Sequence, residues 1–141
     1  MTNSNQPNQS FEHFLNVIKR LSAPDGCPWD REQTPLSLRS DLVEEVFEAV
    51  EAISDNDVFH TKEELGDVML NATMIAYMHE QKGMFTVAEV LDDVSEKLVR
   101  RHPHVFKESE GASQMNGEVK DSVQVLNQWD AIKRNVEGRA S

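Results

Sequence analysis

Apolar residues recur along this chain at helical spacing, and no segment alternates with a period of two. Phe11, Phe14, Leu15, Ile18 and Leu21 follow an i, i+3, i+4, i+7 pattern that predicts an amphipathic helix, with Ser10 as its N-cap. The stretch 23–35 carries three prolines and a glycine, which predicts irregular chain, pinned to the core by Trp29. Helices are expected over 36–54 and 61–82, separated by Ser54-Asp55-Asn56-Asp57. Gly83 stands where a helix terminator is favoured. Thr86 with Glu89 reads as a capping box opening a fourth helix, which carries Val90, Leu91, Val94 and Leu98 and ends before Pro103. A polar stretch over 107–120 follows, and then a helix over 122–136 with Val125, Leu126, Trp129 and Ile132 on one side. The pattern predicts an all-α fold, one domain over 11–136 between a disordered polar tail at 1–10 and a short tail at 137–141.

Acidic residues are grouped on the two central helices. On the second, Leu42, Val43, Val46, Phe47, Val50 and Ile53 share a face that predicts burial, while Asp41, Glu44, Glu45, Glu48 and Glu51 cover the other. Such a face is by itself compatible with a solvated surface, although like charges at i, i+3 and i+4 repel. The third helix is apolar nearly all round, which predicts a central position. Glu64, Asp67 and Asn71 form one narrow polar stripe through it. Carboxylates buried there need basic partners, a shared proton or a metal ion. Gly66, on the other side, predicts close approach of a neighbouring helix.

Setting Glu45 and Glu48 opposite Glu64 and Asp67 makes an all-oxygen set suited to Mg²⁺, with Mn²⁺ as a second possibility. Four carboxylates overcompensate one divalent ion, which favours further ions or an ion delivered with a polyphosphate. A di-iron bundle is excluded, since none of the five histidines lies three residues after a Glu.

Composition narrows the partners. The 141 residues hold 14 Lys and Arg against 25 Asp and Glu, a net charge of −11, which excludes a nucleic-acid duplex. Cys27 is the single cysteine, so no internal disulfide forms, in keeping with a reducing cytoplasm. The polar first ten residues are no secretory signal, and no apolar run is long enough for a membrane span. The cations that count are Lys97 and Arg101, an i, i+4 pair turned toward the apolar side of the fourth helix, where they are placed to hold phosphate oxygens or to complement the helix end. Arg100 is expected at the surface. Trp129 and Lys133 share the same spacing; the Trp packs in the core or stacks a base while the Lys reaches a phosphate. A metal pair at His102 and His104 is disfavoured because no further soft ligands accompany it.

The ordered set Gly26-Cys-Pro-Trp-Asp30, Gln33-Thr34, Ser37-Leu38, Glu44-Glu-x-x-Glu48, Glu63-Glu-Leu-Gly-Asp67, Lys97-Leu-Val-Arg-Arg-His-Pro-His-Val-Phe106 and Trp129-Asp-Ala-Ile-Lys133 resembles the MazG family of nucleoside triphosphate pyrophosphohydrolases. The resemblance implies a helical bundle completed by homo-oligomerisation, as a homodimer or homotetramer. It also implies Mg²⁺ at Glu45, Glu48, Glu64 and Asp67, and substrate contacts from Lys97, Arg101, Trp129 and Lys133. Some members place a Lys where this chain has His60.

The activity expected on this basis is Mg²⁺-dependent hydrolysis of a nucleoside triphosphate at the α–β linkage, with Glu44 as general base or water-orienting carboxylate. The rival readings are a non-catalytic helical module that binds nucleotides or a protein, and a related helical hydrolase specific for phosphoribosyl-ATP or one deoxynucleotide.

Overall fold

The computed structural model describes residues 6–107 and 119–139, and every regular element among them is helical. The chain divides into two compact units, up to Val87 and from Ala88 onward. The first unit contains α1 (Pro7–Leu21), α2 (Pro28–Glu32), α3 (Pro35–Ser54) and α4 (Val58–Gln81). Beyond Val87, the second contains α5 (Val87–Arg101) and α6 (Ser122–Asn135). Of the two expected tails, residues 1–5 and 140–141 lie outside the described residues, as does most of the polar stretch at 108–118.

Local chemistry explains where the helices begin and end. Helix α1 starts at Pro7, whose fixed φ suits a first turn, so Ser10 lies inside the helix and donates its N–H to Gln6 O rather than capping it. Thr34 caps α3 reciprocally: its Oγ1 accepts from Ser37 N–H, and Ser37 Oγ accepts from Thr34 N–H. Helix α4 begins at Val58, three residues before the expected start, and Asp57 caps it, its Oδ1 accepting from His60 N–H. Gly83 ends α4 as expected, at φ +70°, with Met84 N–H reaching His79 O and Gly83 N–H reaching Glu80 O. Asp121 caps α6 by accepting from Gln124 N–H.

Two sequence expectations for the loop after α1 are corrected. The segment contains the short helix α2, whose Pro28 occupies the first turn. Trp29 is 53% exposed and does not anchor it. Gly26 does: Cys27 N–H donates to Leu21 O at 2.9 Å, and a Cβ on Gly26 would lie 2.2 Å from that carbonyl. Only a residue without a side chain allows the backbone so close.

The packing of α3 is also reversed. Leu38, Ala49 and Ala52 are buried and Glu45 is half-buried on the same stripe, so the alanines and the acidic side face α4. Val43, Val46, Phe47, Val50 and Ile53, expected inside, are exposed. On α4 the inward stripe runs through Glu64, Asn71 and Met74, and Ile18, Leu38 and Met74 form the core cluster. A Cβ on Gly66 would meet nothing within 4 Å, so no helix among the described residues makes the close approach expected there.

Candidate functional site

The carboxyl groups of Glu45 and Glu48 on α3 and Glu64 on α4 converge, each offering an oxygen within 4.8 Å of the others. Helix geometry accounts for this: Glu45 and Glu48 lie one turn apart, beside the small Ala49 and Ala52 that let α4 pack closely. Asp67 lies one turn beyond Glu64 and outside the converging trio, yet its charge acts on both Glu45 and Glu64. Glu44 is exposed on the neighbouring position of α3. Asn71, 8% exposed, donates its Nδ2 to Asp67 O at 3.0 Å, closing its own helix rather than touching the Asp67 carboxylate.

Burial, the adjoining Glu64 carboxyl and the charges of Glu48 and Asp67 push the Glu45 carboxyl up to about 7. Burial and the Glu48 and Asp67 charges raise Glu64 as well. Glu45 Oε2 and Glu64 Oε2 are buried with no hydrogen-bond partner. Two buried acceptors without donors, in a set made only of hard oxygens, are the donor arrangement a small divalent cation fits. A cavity of about 200 Å³ adjoins the trio, lined by Glu48, Glu51, Asp57, His60 and Glu64 among others. His60 Nδ1 lies 2.5 Å from Asp57 Oδ2, a pairing that raises the imidazole and lowers the carboxyl.

The remaining candidates lie in the second unit. Lys97, Trp129 and Lys133 are half-buried, and the Arg101 side chain is 14% exposed. Arg101 pairs with Glu137, and so does Arg100, whose side chain is drawn in by that carboxylate to 29% exposure where a surface residue was expected. Trp129 Nε1 is buried without a partner. His102 packs edge-on against Trp129 at 5.0 Å between ring centroids, and His104 Nδ1 meets Gln128 Nε2 at 2.9 Å. The histidine pair is thus occupied in packing α6. Sequence reasoning missed Asp57 and Glu137; an Asp three residues before a His at a helix start was a usable signal for the first, and nothing local signals the second.

The chain is 40% identical over 129 residues to the nucleoside triphosphate pyrophosphohydrolase/pyrophosphatase MazG of Thermotoga maritima, covering 92% of this chain and 46% of that protein. It is 35% identical over 124 residues to a nucleoside triphosphate pyrophosphohydrolase of Escherichia coli K12, covering 87% and 44%. An uncharacterized Bacillus subtilis protein, YabN, is 44% identical over 124 residues, 88% of this chain and 24% of its own length. The chain therefore spans less than half the length of these curated relatives. The crystal structure of a mazG-related protein from Thermotoga maritima superposes with a TM-score of 0.70 at 27% identity, covering 88% of this chain and 99% of that one. Residues 33–106 match the MazG nucleotide pyrophosphohydrolase domain, a span that includes both acidic motifs, and with the shared helical architecture this match makes the chain a member of the MazG family.

Proposed function

We propose that this chain hydrolyses nucleoside triphosphates at the α–β linkage in a Mg²⁺-dependent reaction, releasing the monophosphate and pyrophosphate. The observation that carries the reading is the convergence of Glu45, Glu48 and Glu64 around two buried, partnerless carboxylate oxygens. Glu45, Glu48 and Glu64 would hold the ion, and Asp67 adds its charge to the same set. A bound divalent ion supplies charge neutralisation of the polyphosphate and a more acidic bound water. Glu44, outside the converging trio and open to solvent, orients or deprotonates the attacking water. Lys97 and Arg101 take charge developing on the leaving phosphates, and Trp129 with Lys133 takes the base and a phosphate. These last roles rest on the family resemblance and on the chemistry of the side chains.

The reading extends to assembly and setting. Exposed Val43, Phe47 and Val50 on α3, together with Phe59 on α4, support a homodimer or homotetramer in which a second copy covers them. No described helix is long and apolar enough to cross a membrane. The lone Cys27 suits the reducing cytoplasm.

Product analysis tests the reaction. A triphosphate with Mg²⁺ is expected to yield monophosphate and pyrophosphate, and Glu48→Gln to lower kcat by about a hundredfold or more. Diphosphate and orthophosphate as products would overturn the assignment. Triphosphate binding without turnover would favour a non-catalytic module instead.

A further inference from the structure

We propose that Glu137 is a positioning residue for Arg101, holding its guanidinium so that one edge is presented to a substrate phosphate. The inference rests on the functional reading above, in which Arg101 meets the triphosphate, and adds to it a residue 36 positions away in sequence.

The geometry begins after α6. Val136 and Glu137 both direct their N–H groups to Ile132 O, and Gly138 turns the chain at φ +66° so that Arg139 N–H reaches Lys133 O. This turn sends the Glu137 side chain back to the end of α5, where it is only 6% exposed. Arg100 Nε donates to Glu137 Oε2 at 2.6 Å, which fixes the carboxylate. Arg101 then meets it side-on, Nη2 donating to Oε1 at 2.9 Å and Nε to Oε2 at 3.3 Å. The Arg101 pair, aided by Arg100, holds the Glu137 carboxyl down at about 2, so it stays an anion throughout the neutral range.

A guanidinium is planar and carries five N–H donors. The side-on pair uses the Nε–Nη2 edge, and planarity turns the Nη1 edge away from Glu137. Fixing the long side chain in advance removes rotamer entropy that binding would otherwise cost. A second observation in the same unit points to a ligand. His102, the residue after Arg101, packs its ring against Trp129, whose buried Nε1–H has no acceptor. A buried donor left without an acceptor is rare in a finished structure.

The test compares Glu137→Gln, Glu137→Asp, Arg101→Ala and the Gln/Ala double variant, each first checked for folding by thermal melting. Steady-state pyrophosphate release and calorimetric binding of an α,β-methylene triphosphate are the readouts. Glu137→Gln should weaken analogue binding and lower kcat/KM roughly tenfold, the effect of one charged hydrogen bond, with part of the loss in kcat because Arg101 meets charge that develops on the leaving phosphates. Glu137→Asp should recover part of the loss, and Glu137→Gln should add nothing in the Arg101→Ala background. Unchanged kcat/KM in a folded Glu137→Gln variant, a Glu137→Asp variant no better than Glu137→Gln, or additive effects in the double variant overturns the inference while the functional reading stands. A parent that neither binds the analogue nor releases pyrophosphate overturns the functional reading, and the inference falls with it.

Discussion

Replacing Glu45 by Gln isolates the electrostatics of the acidic cluster. The Glu45 carboxyl titrates at about 7 in the folded chain against an ordinary 4.5. Between those values the folded protein holds a proton that the unfolded chain has lost, so stability falls as pH rises through the window. At ~1.4 kcal/mol per pH unit, the gap sets a ceiling of ~3.4 kcal/mol above pH 7. Glu45 is only half-buried, and solvent screening reduces the figure to roughly 1–2 kcal/mol. Glu45→Gln removes one of the repelling charges, so in chelator at alkaline pH the variant should melt roughly 3–6 °C above the parent. Below the ordinary carboxyl value the two should converge. Added Mg²⁺ should raise the parent's melting temperature and raise the variant's much less. Paired thermal melts across pH, with chelator and with Mg²⁺, read all of this. A variant that melts below the parent in chelator above neutrality would refute the reasoning, because Glu45 would then be stabilised as an anion by the chain itself.

Other expectations follow from single contacts. Thr34→Ala removes one half of the reciprocal cap on α3 and should lower stability by about 1 kcal/mol, read by denaturant unfolding. Phe47→Glu places a charge on the exposed apolar side of α3 and should shift the sedimenting species to the monomer; an unchanged mass would show that no copy covers this face. The ion pairs that hold Glu137 near 2 contribute stability above the ordinary 4.5. That contribution should drain away as pH falls toward 2, and Glu137→Gln should flatten this acid limb of the unfolding curve.

Much of the fold was legible because its signals are local. Prolines, capping side chains and Gly83 act within a few residues, so the longer helices and the break at Ser54–Asp57 could be read from spacing, whereas α1 and α4 start earlier than spacing suggested and the short helix opened by Pro28 was missed. The acidic grouping was legible for the same reason: one-turn spacing places Glu45 with Glu48, and Glu64 with Asp67, before any tertiary contact forms. Periodicity, however, marks an apolar face without saying what covers it. Val43, Phe47 and Val50 read as core, while the chain itself packs α3 through Leu38, Ala49, Ala52 and the half-buried Glu45.

The amino-acid order by itself determined the longer helices, their stops, the family and the set of acids, since each depends on neighbours within one or two turns or on an ordered motif. Tertiary structure alone decided which side of α3 meets α4, that Glu45, Glu48 and Glu64 converge while Asp67 stands outside the trio, and that Glu137 clasps Arg101. Those outcomes depend on contacts between residues far apart in the chain, where the small volume of Ala49 and Ala52 and the charge of a distant guanidinium outweigh the local pattern.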